Sequence, residues 1–134
     1  MSGHDLTLLP GELAIVRLPP GADARAWARS GPAGLLSVTE SATETSVVCD
    51  RAAAPAGAEV SGPWRVLVVA GPLDHALTGV LAAIAGPLAG SDIPIFAVST
   101  FDTDYVLVPA GRVADAVATL RGAGHHVATS RFGA

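Results

Sequence analysis

Gly71-Pro72-Leu73-Asp74, Thr78-Gly79 and Ser99-Thr100-Phe101-Asp102-Thr103-Asp104 lie in one stretch, Trp64 to Tyr105, on which the reading of the chain turns. Trp64 to Ala70 is a short apolar run, the pattern of a buried strand. Gly71 and Pro72 break it. Asp74 stands where a helix N-cap belongs, and a helix is expected directly after it. Leu77, Val80, Leu81, Ile84 and Leu88 recur at helical spacing and make one apolar face. Ile93 to Val98 reads as a second strand and Phe101 to Thr103 as a turn, and Asp104 opens a third strand through Val108. A helix start presents unpaired backbone N–H groups and a partial positive charge, which suit a carboxylate. Acidic side chains beside it suit an ammonium. Those are the two charged ends of an amino acid.

The composition sets the bounds. A chain of 134 residues makes one compact domain or two very small ones. Half the residues are hydrophobic and only 15% are charged, so the chain can fill a core. The net charge is −4 and the arginines form no stripe, which argues against a nucleic-acid partner. The single cysteine, Cys49, cannot make an internal disulfide and fits a reducing cytoplasm, packed as a core thiol between its apolar neighbours. No apolar run approaches the ~18 residues of a membrane span, and Met1 to Asp5 has no signal-peptide pattern. A cytoplasmic protein with no membrane partner and no cofactor is expected.

In order along the chain, Leu6–Leu9 and Leu13–Leu18 read as strands closed by Pro10-Gly11 and Pro19-Pro20. Ala24–Arg29 reads as one or two helical turns. Leu35–Thr39 and Ser46–Cys49 read as two strands joined by a polar turn. Arg51–Pro63 has no periodicity and reads as a connector, which divides the chain at 63/64. Past the central stretch, Arg112–Ala123 reads as a second helix with Val113, Val117 and Leu120 on one face, and His125–Ser130 as a last strand. Pro87 interrupts the first helix, which is expected to bend there or to end near Gly86. The resulting order is strand–helix–strand–strand–helix–strand, an α+β fold with an antiparallel sheet and both helices on one face. The pair Leu35–Thr39 and Thr45–Val48 also echoes the pair Phe96–Thr100 and Tyr105–Val108, a faint internal repeat.

At these residues the sequence resembles a known family. Gly-Pro-Leu-Asp at 71–74, Leu-Thr-Gly-Val-Leu at 77–81, Pro-Leu-Ala at 87–89, Ile-Pro-Ile-Phe-Ala-Val-Ser-Thr at 93–100 and Phe-Asp-Thr-Asp-Tyr-Val-Leu-Val at 101–108 are similar to the ACT domains of the CASTOR-type arginine sensors. They are similar also to small stand-alone bacterial ACT proteins and, more distantly, to the regulatory ACT domains of aspartokinases. The likeness implies tandem ACT-like units of ferredoxin-like βαββαβ fold: a reduced N-terminal unit with its connector over 1–63 and a complete domain over 64–134. It implies a regulatory, non-catalytic protein that holds a free amino acid between paired units. Those sensors have four units and this chain two, so a homodimer is expected, with a regulated enzyme or another protein as partner. Carried over residue by residue, Gly71, Leu73, Asp74, Thr78, Gly79, Val80 and Leu81 form one side of the site. Ser99, Thr100, Phe101, Thr103 and Asp104 form the other, with Asp104 matching the acidic position that meets the ligand's charged group. The rest of an arginine-specific pocket is not legible, so the resemblance does not imply arginine itself.

Other chemistries find no matching pattern in the sequence. Ser99 and Thr100 have no base at a recognisable nucleophile elbow, and Gly-x-Ser-x-Gly is absent. Gly-x-Gly-x-x-Gly is missing after the 64–70 strand, which argues against a dinucleotide site. His125 and His126 point to opposite faces of a strand and cannot share a metal, and solvated or strand-edge histidines are expected there. His75 and His4 stand isolated. Asp74 serves as a helix cap as readily as a ligand contact, and Asp104 as a turn carboxylate. Trp27 and Trp64 read as packing anchors. The alternative function is an interaction module that docks without a ligand. A small enzyme would need an acid/base pair in a cleft, and the sequence offers none.

Overall fold

The computed structural model describes residues 3–130. Eight strands, β1 (Asp5–Leu8), β2 (Leu13–Leu18), β3 (Ser37–Glu40), β4 (Thr45–Asp50), β5 (Glu59–Val69), β6 (Phe96–Ser99), β7 (Asp104–Pro109) and β8 (His126–Thr129), join in one sheet. Two helices, α1 (Val80–Gly90) and α2 (Val113–Gly122), complete the fold.

The sheet is built outward from β5. On one side β5 pairs with β7, and β7 with β6. On the other side it pairs with β2 through its first half and with β1 through its second. Beyond β2 lie β4 and β3. All these pairings are antiparallel; β8 alone joins in parallel, alongside β1. The strand–helix–strand expectation makes the last strand a neighbour of β5. Instead β1 from the N-terminal segment occupies that place.

The two hairpins that resemble each other in sequence also share a turn. In one, the Ser41 amide donates to the Glu44 carbonyl (3.0 Å) and the Glu44 amide donates to Ser41 Oγ (3.2 Å). In the other, the Thr100 amide donates to the Thr103 carbonyl (2.8 Å) and the Thr103 amide donates to Thr100 Oγ1 (3.3 Å). Each hydroxyl replaces a backbone partner inside its turn. The hairpins flank β2 and β5 in mirrored order.

Side-chain alternation gives each strand two buried faces. Leu67 and Val69 of β5 and Val106 and Val108 of β7 pack with Ile84 and Leu88 of α1 and Ala116 and Leu120 of α2. Val66 and Leu107, between them in sequence, point the other way. They meet Leu13, Ala33, Leu35 and Val48 of the N-terminal half. A third cluster joins Ala14, Val16, Ala24, Val47 and Cys49, with Trp27 at its margin.

Ala24–Arg29 agrees with the shorter of the two lengths expected, a single hydrogen-bonded turn in which the Ala28 amide donates to the Ala24 carbonyl (2.8 Å). Several other expectations need correction. The connector is shorter than expected, because Glu59–Pro63 belongs to β5. Positions 59, 60 and 61 pair with Arg17, Val16 and Ile15, and an available strand edge outweighs weak local propensity. β5 therefore runs through the 63/64 boundary. The first helix starts at Val80, well after Asp74, and continues through Pro87 to Gly90. Finally, His125 is buried, with 6% exposure, where a solvated or strand-edge ring is expected.

Burial pushes the Cys49 thiol up from its ordinary 9.0, the Asp50 charge adds to the rise and Arg29 offsets part of it. The unfolded thiol ionises near 9.0, while the folded one keeps its proton to higher pH. Cys49 therefore contributes stability that is present below pH 9.0 and lost as pH rises through the folded value. The urea midpoint of the wild type should fall further on moving from neutral pH to above 9.0 than that of Cys49→Ala. Equal falls would contradict the assignment.

Candidate functional site

The site forms where the loop after β5 meets the turn between β6 and β7. A proline at 72 and Gly71 end β5. The loop then crosses to the turn, where the Leu73 amide donates to the Asp102 carbonyl (2.7 Å). Thr103 Oγ1 donates to the Val69 carbonyl (2.5 Å), tying the turn to the end of β5. Gly71 sits in this contact: a Cβ there would lie 2.9 Å from the Asp102 carbonyl oxygen and 3.3 Å from Thr103 Cβ. The absence of a side chain lets the two segments approach.

Between them opens a cleft of about 320 Å³. Of the expected residues, Leu73, Asp74, Gly79, Val80, Leu81, Ser99, Thr100, Phe101, Thr103 and Asp104 line it. Gly71 and Thr78 do not; Gly71 is part of its frame, and Thr78 is exposed. His75, Leu77 and Asp102 line it in addition. The helix expected after Asp74 conceals His75 and Leu77, whereas Asp102 lies within the expected turn. The helical spacing puts Leu77 on a buried face, yet it is 55% exposed in the loop.

Asp74 does not cap α1. Its Oδ1 accepts the Ala76 amide (2.8 Å) and its carbonyl accepts the Leu77 amide (3.0 Å), which forms a local Asx turn. The true N-cap is Gly79, left-handed at φ +79° and without a side-chain cap. The first-turn amides of α1 thus have no intrahelical acceptors, and Val80 and Leu81 of that turn line the cleft. Opposite them, Ser99 Oγ donates to Asp104 Oδ1 (2.6 Å), which leaves the second carboxylate oxygen of Asp104 uncommitted to that bond.

His75 bridges the two lips. Its Nε2 donates to the Phe101 carbonyl (2.7 Å), and its ring meets the Phe101 ring edge-on at 4.5 Å. Phe101 is nonetheless 81% exposed. Among the described residues, three carboxylates and no arginine line the cleft. Its lining thus combines the start of α1, the carboxylates Asp74, Asp102 and Asp104, and the apolar residues Leu73, Val80 and Phe101. Among the described residues, no cluster of three His, Cys, Asp or Glu side chains could hold a metal.

A sheet with both helices packed on one face, and a cleft where the first helix starts beside a hairpin turn, matches the ACT domain. The family model so described covers residues 59–122, and the chain is an ACT-domain protein over that span. The human cytosolic arginine sensor for mTORC1 subunit 1 is 39% identical over 59 residues, 43% of this chain. The mouse counterpart is 47% identical over 47 residues. The human match spans 18% of that sensor's length. A crystal structure of an Agrobacterium tumefaciens protein superposes with a TM-score of 0.89 at 31% identity, covering 98% of this chain and 96% of that one. The regulatory subunit of aspartate kinase from Thermus flavus gives 0.62 at 12% identity, covering 92% and 99%, a likeness of fold alone. No helix among the described residues is long and apolar enough to cross a membrane.

Proposed function

We propose that this chain is a regulatory module that binds a free amino acid in the cleft between the start of α1 and the Ser99–Asp104 turn. The observation that carries the reading is the convergence of uncapped helix amides and a carboxylate turn on one apolar-walled cleft. The Val80 and Leu81 amides would receive the ligand carboxylate. Asp104, oriented by Ser99, would pair with the ammonium or a basic side chain, with Asp74 beside it. Leu73, Val80 and Phe101 would enclose the apolar part. A sequence relative is a named arginine sensor, which supports a regulatory role over a catalytic one.

The exposed Phe101 and the strands β3, β6 and β8, each paired on one side only among the described residues, favour a homodimer that covers them. Ligand bound between two copies would stabilise one arrangement and pass the signal to an enzyme or other partner. Sedimentation should give a dimer at micromolar protein in a cytoplasm-like buffer, and a clean monomer would contradict it. The exposed Phe101 equally suits a second reading, an interaction module that docks without any ligand.

A thermal-shift panel of the twenty amino acids separates the two. A ligand at a hundredfold excess over its Kd stabilises the fold by about 2.7 kcal/mol. One or two amino acids should raise the melting temperature by several degrees, and Asp104→Ala should remove the shift. A flat panel with a stable dimer would replace this reading with the docking module.

A further inference from the structure

We infer that His125 positions the start of α1, and with it one wall of the cleft, by supplying the hydrogen-bond donor that Pro87 takes away from the helix. In an α-helix the carbonyl of one residue accepts the amide four residues on. For Ala83 that residue is Pro87, which has no N–H and whose ring crowds the Ala83 carbonyl. The helix nevertheless runs unbroken from Val80 to Gly90. The Ala83 carbonyl is met from outside the helix, by His125 Nε2 at 2.9 Å.

The orientation of the ring follows from its other nitrogen. His125 Nδ1 accepts the His4 amide at 3.0 Å. A backbone amide can only donate, so Nδ1 carries no hydrogen in this bond and Nε2 carries it, aimed at Ala83. The ring is buried and the His4 ring stacks on it, with centroids 5.7 Å apart and planes 18° apart. His125 directly precedes β8, whose first residue is tied to the N-terminal segment through the His126 amide and the His4 carbonyl (2.9 Å). The donor is therefore presented from the sheet, not from a loose loop.

Ala83 closes the first turn of α1, because its own amide donates to the Gly79 carbonyl (2.9 Å). Gly79, Val80 and Leu81 on that turn line the cleft. Pro87 weakens the helix just beyond it, and His125 pins the weakened turn to the sheet. The relevance to a ligand rests on the amino-acid reading above, whereas the pin itself does not.

The test is a double-mutant cycle of His125→Leu and Pro87→Ala, read by hydrogen exchange at the Ala83, Ile84 and Ala85 amides of the ligand-free full chain. A flat amino-acid panel would leave this readout untouched. In the wild-type background His125→Leu should raise exchange at those amides roughly tenfold, the scale of one lost buried hydrogen bond. In the Pro87→Ala background the helix regains its own donor, and the same substitution should raise exchange there less than about threefold. An equal rise in both backgrounds overturns the inference, as does a rise confined to β1 and β8 with α1 unchanged. If His125→Leu alone does not fold, recovery of folding on adding Pro87→Ala supports the inference, and a double variant that stays unfolded overturns it.

Discussion

Leu107→Ala is expected to remove about 3 kcal/mol of stability, within the ~2–5 kcal/mol typical of deleting a fully buried leucine. Leu107 is 0% exposed at the middle of β7. It pairs with Val66 on one side and with Phe96 on the other. It points away from the helices, into the cluster with Leu13, Ala33, Leu35 and Val48. The cavity would therefore open between the N-terminal half and the ACT sheet, where strands close in from both sides and little can collapse to fill it. For a domain of this size the loss lowers the melting temperature by roughly 10 °C. Because the cluster draws residues from both halves, denaturation should remain one transition monitored by either Trp27 or Trp64 fluorescence. Phe101→Ala, which removes an exposed ring, should change stability by less than about 0.5 kcal/mol and serves as the comparison. A loss below about 1 kcal/mol for Leu107→Ala, or two separated transitions, would mean that the halves do not share this core.

Gly71→Val should open the cleft. Even one carbon at this position would approach the Asp102 carbonyl oxygen to 2.9 Å and the Leu73 amide nitrogen to 3.3 Å. Both are backbone atoms, and they are the two partners of the hydrogen bond that joins loop to turn. Neither can step aside as a flexible side chain would. The valine must push the turn away from the end of β5 and strain the Thr103 Oγ1 bond to the Val69 carbonyl as well. The Leu73 amide should then exchange at least tenfold faster, with a stability loss of about 1–2 kcal/mol from the broken pairings. Any amino acid that the panel identifies should bind at least tenfold more weakly. By contrast, Gly79→Ala meets no neighbouring atom and carries only the strain of a left-handed residue, about 1 kcal/mol. Unchanged Leu73 protection in Gly71→Val would show that the close approach does not hold the lips together.

Much of the ACT sheet was legible because its signals are local. The Val66–Val69 and Val106–Val108 runs are apolar and bounded by breakers, and both are strands. The Ser99–Asp104 turn carries its own hydroxyl partners, so its shape follows from residues five apart. Ten of the twelve site residues named from the resemblance line one cleft, since the loop and the turn are each short and both end at neighbouring strands. The errors fell where local preference met a competing tertiary partner. Asp74 has the chemistry of a helix cap, but its carboxylate serves the Ala76 amide in a turn, and the helix waits for Gly79. His75 and Leu77 were consequently hidden in an imagined helix.

The sequence by itself determined the alternation of apolar strands, the apolar face of α2 and the hairpin turn, because each rests on spacing within a few residues; the meeting of the loop and turn residues was implied only by the family resemblance. Only the tertiary structure decided that β1 stands between β5 and β8, that β5 reaches back to Glu59, and that α1 passes through Pro87. Each of these depends on a partner far along the chain. β5 lengthens because β2 offers an edge. The helix survives its proline because His125, 42 residues from Ala83, donates the hydrogen bond that the proline cannot.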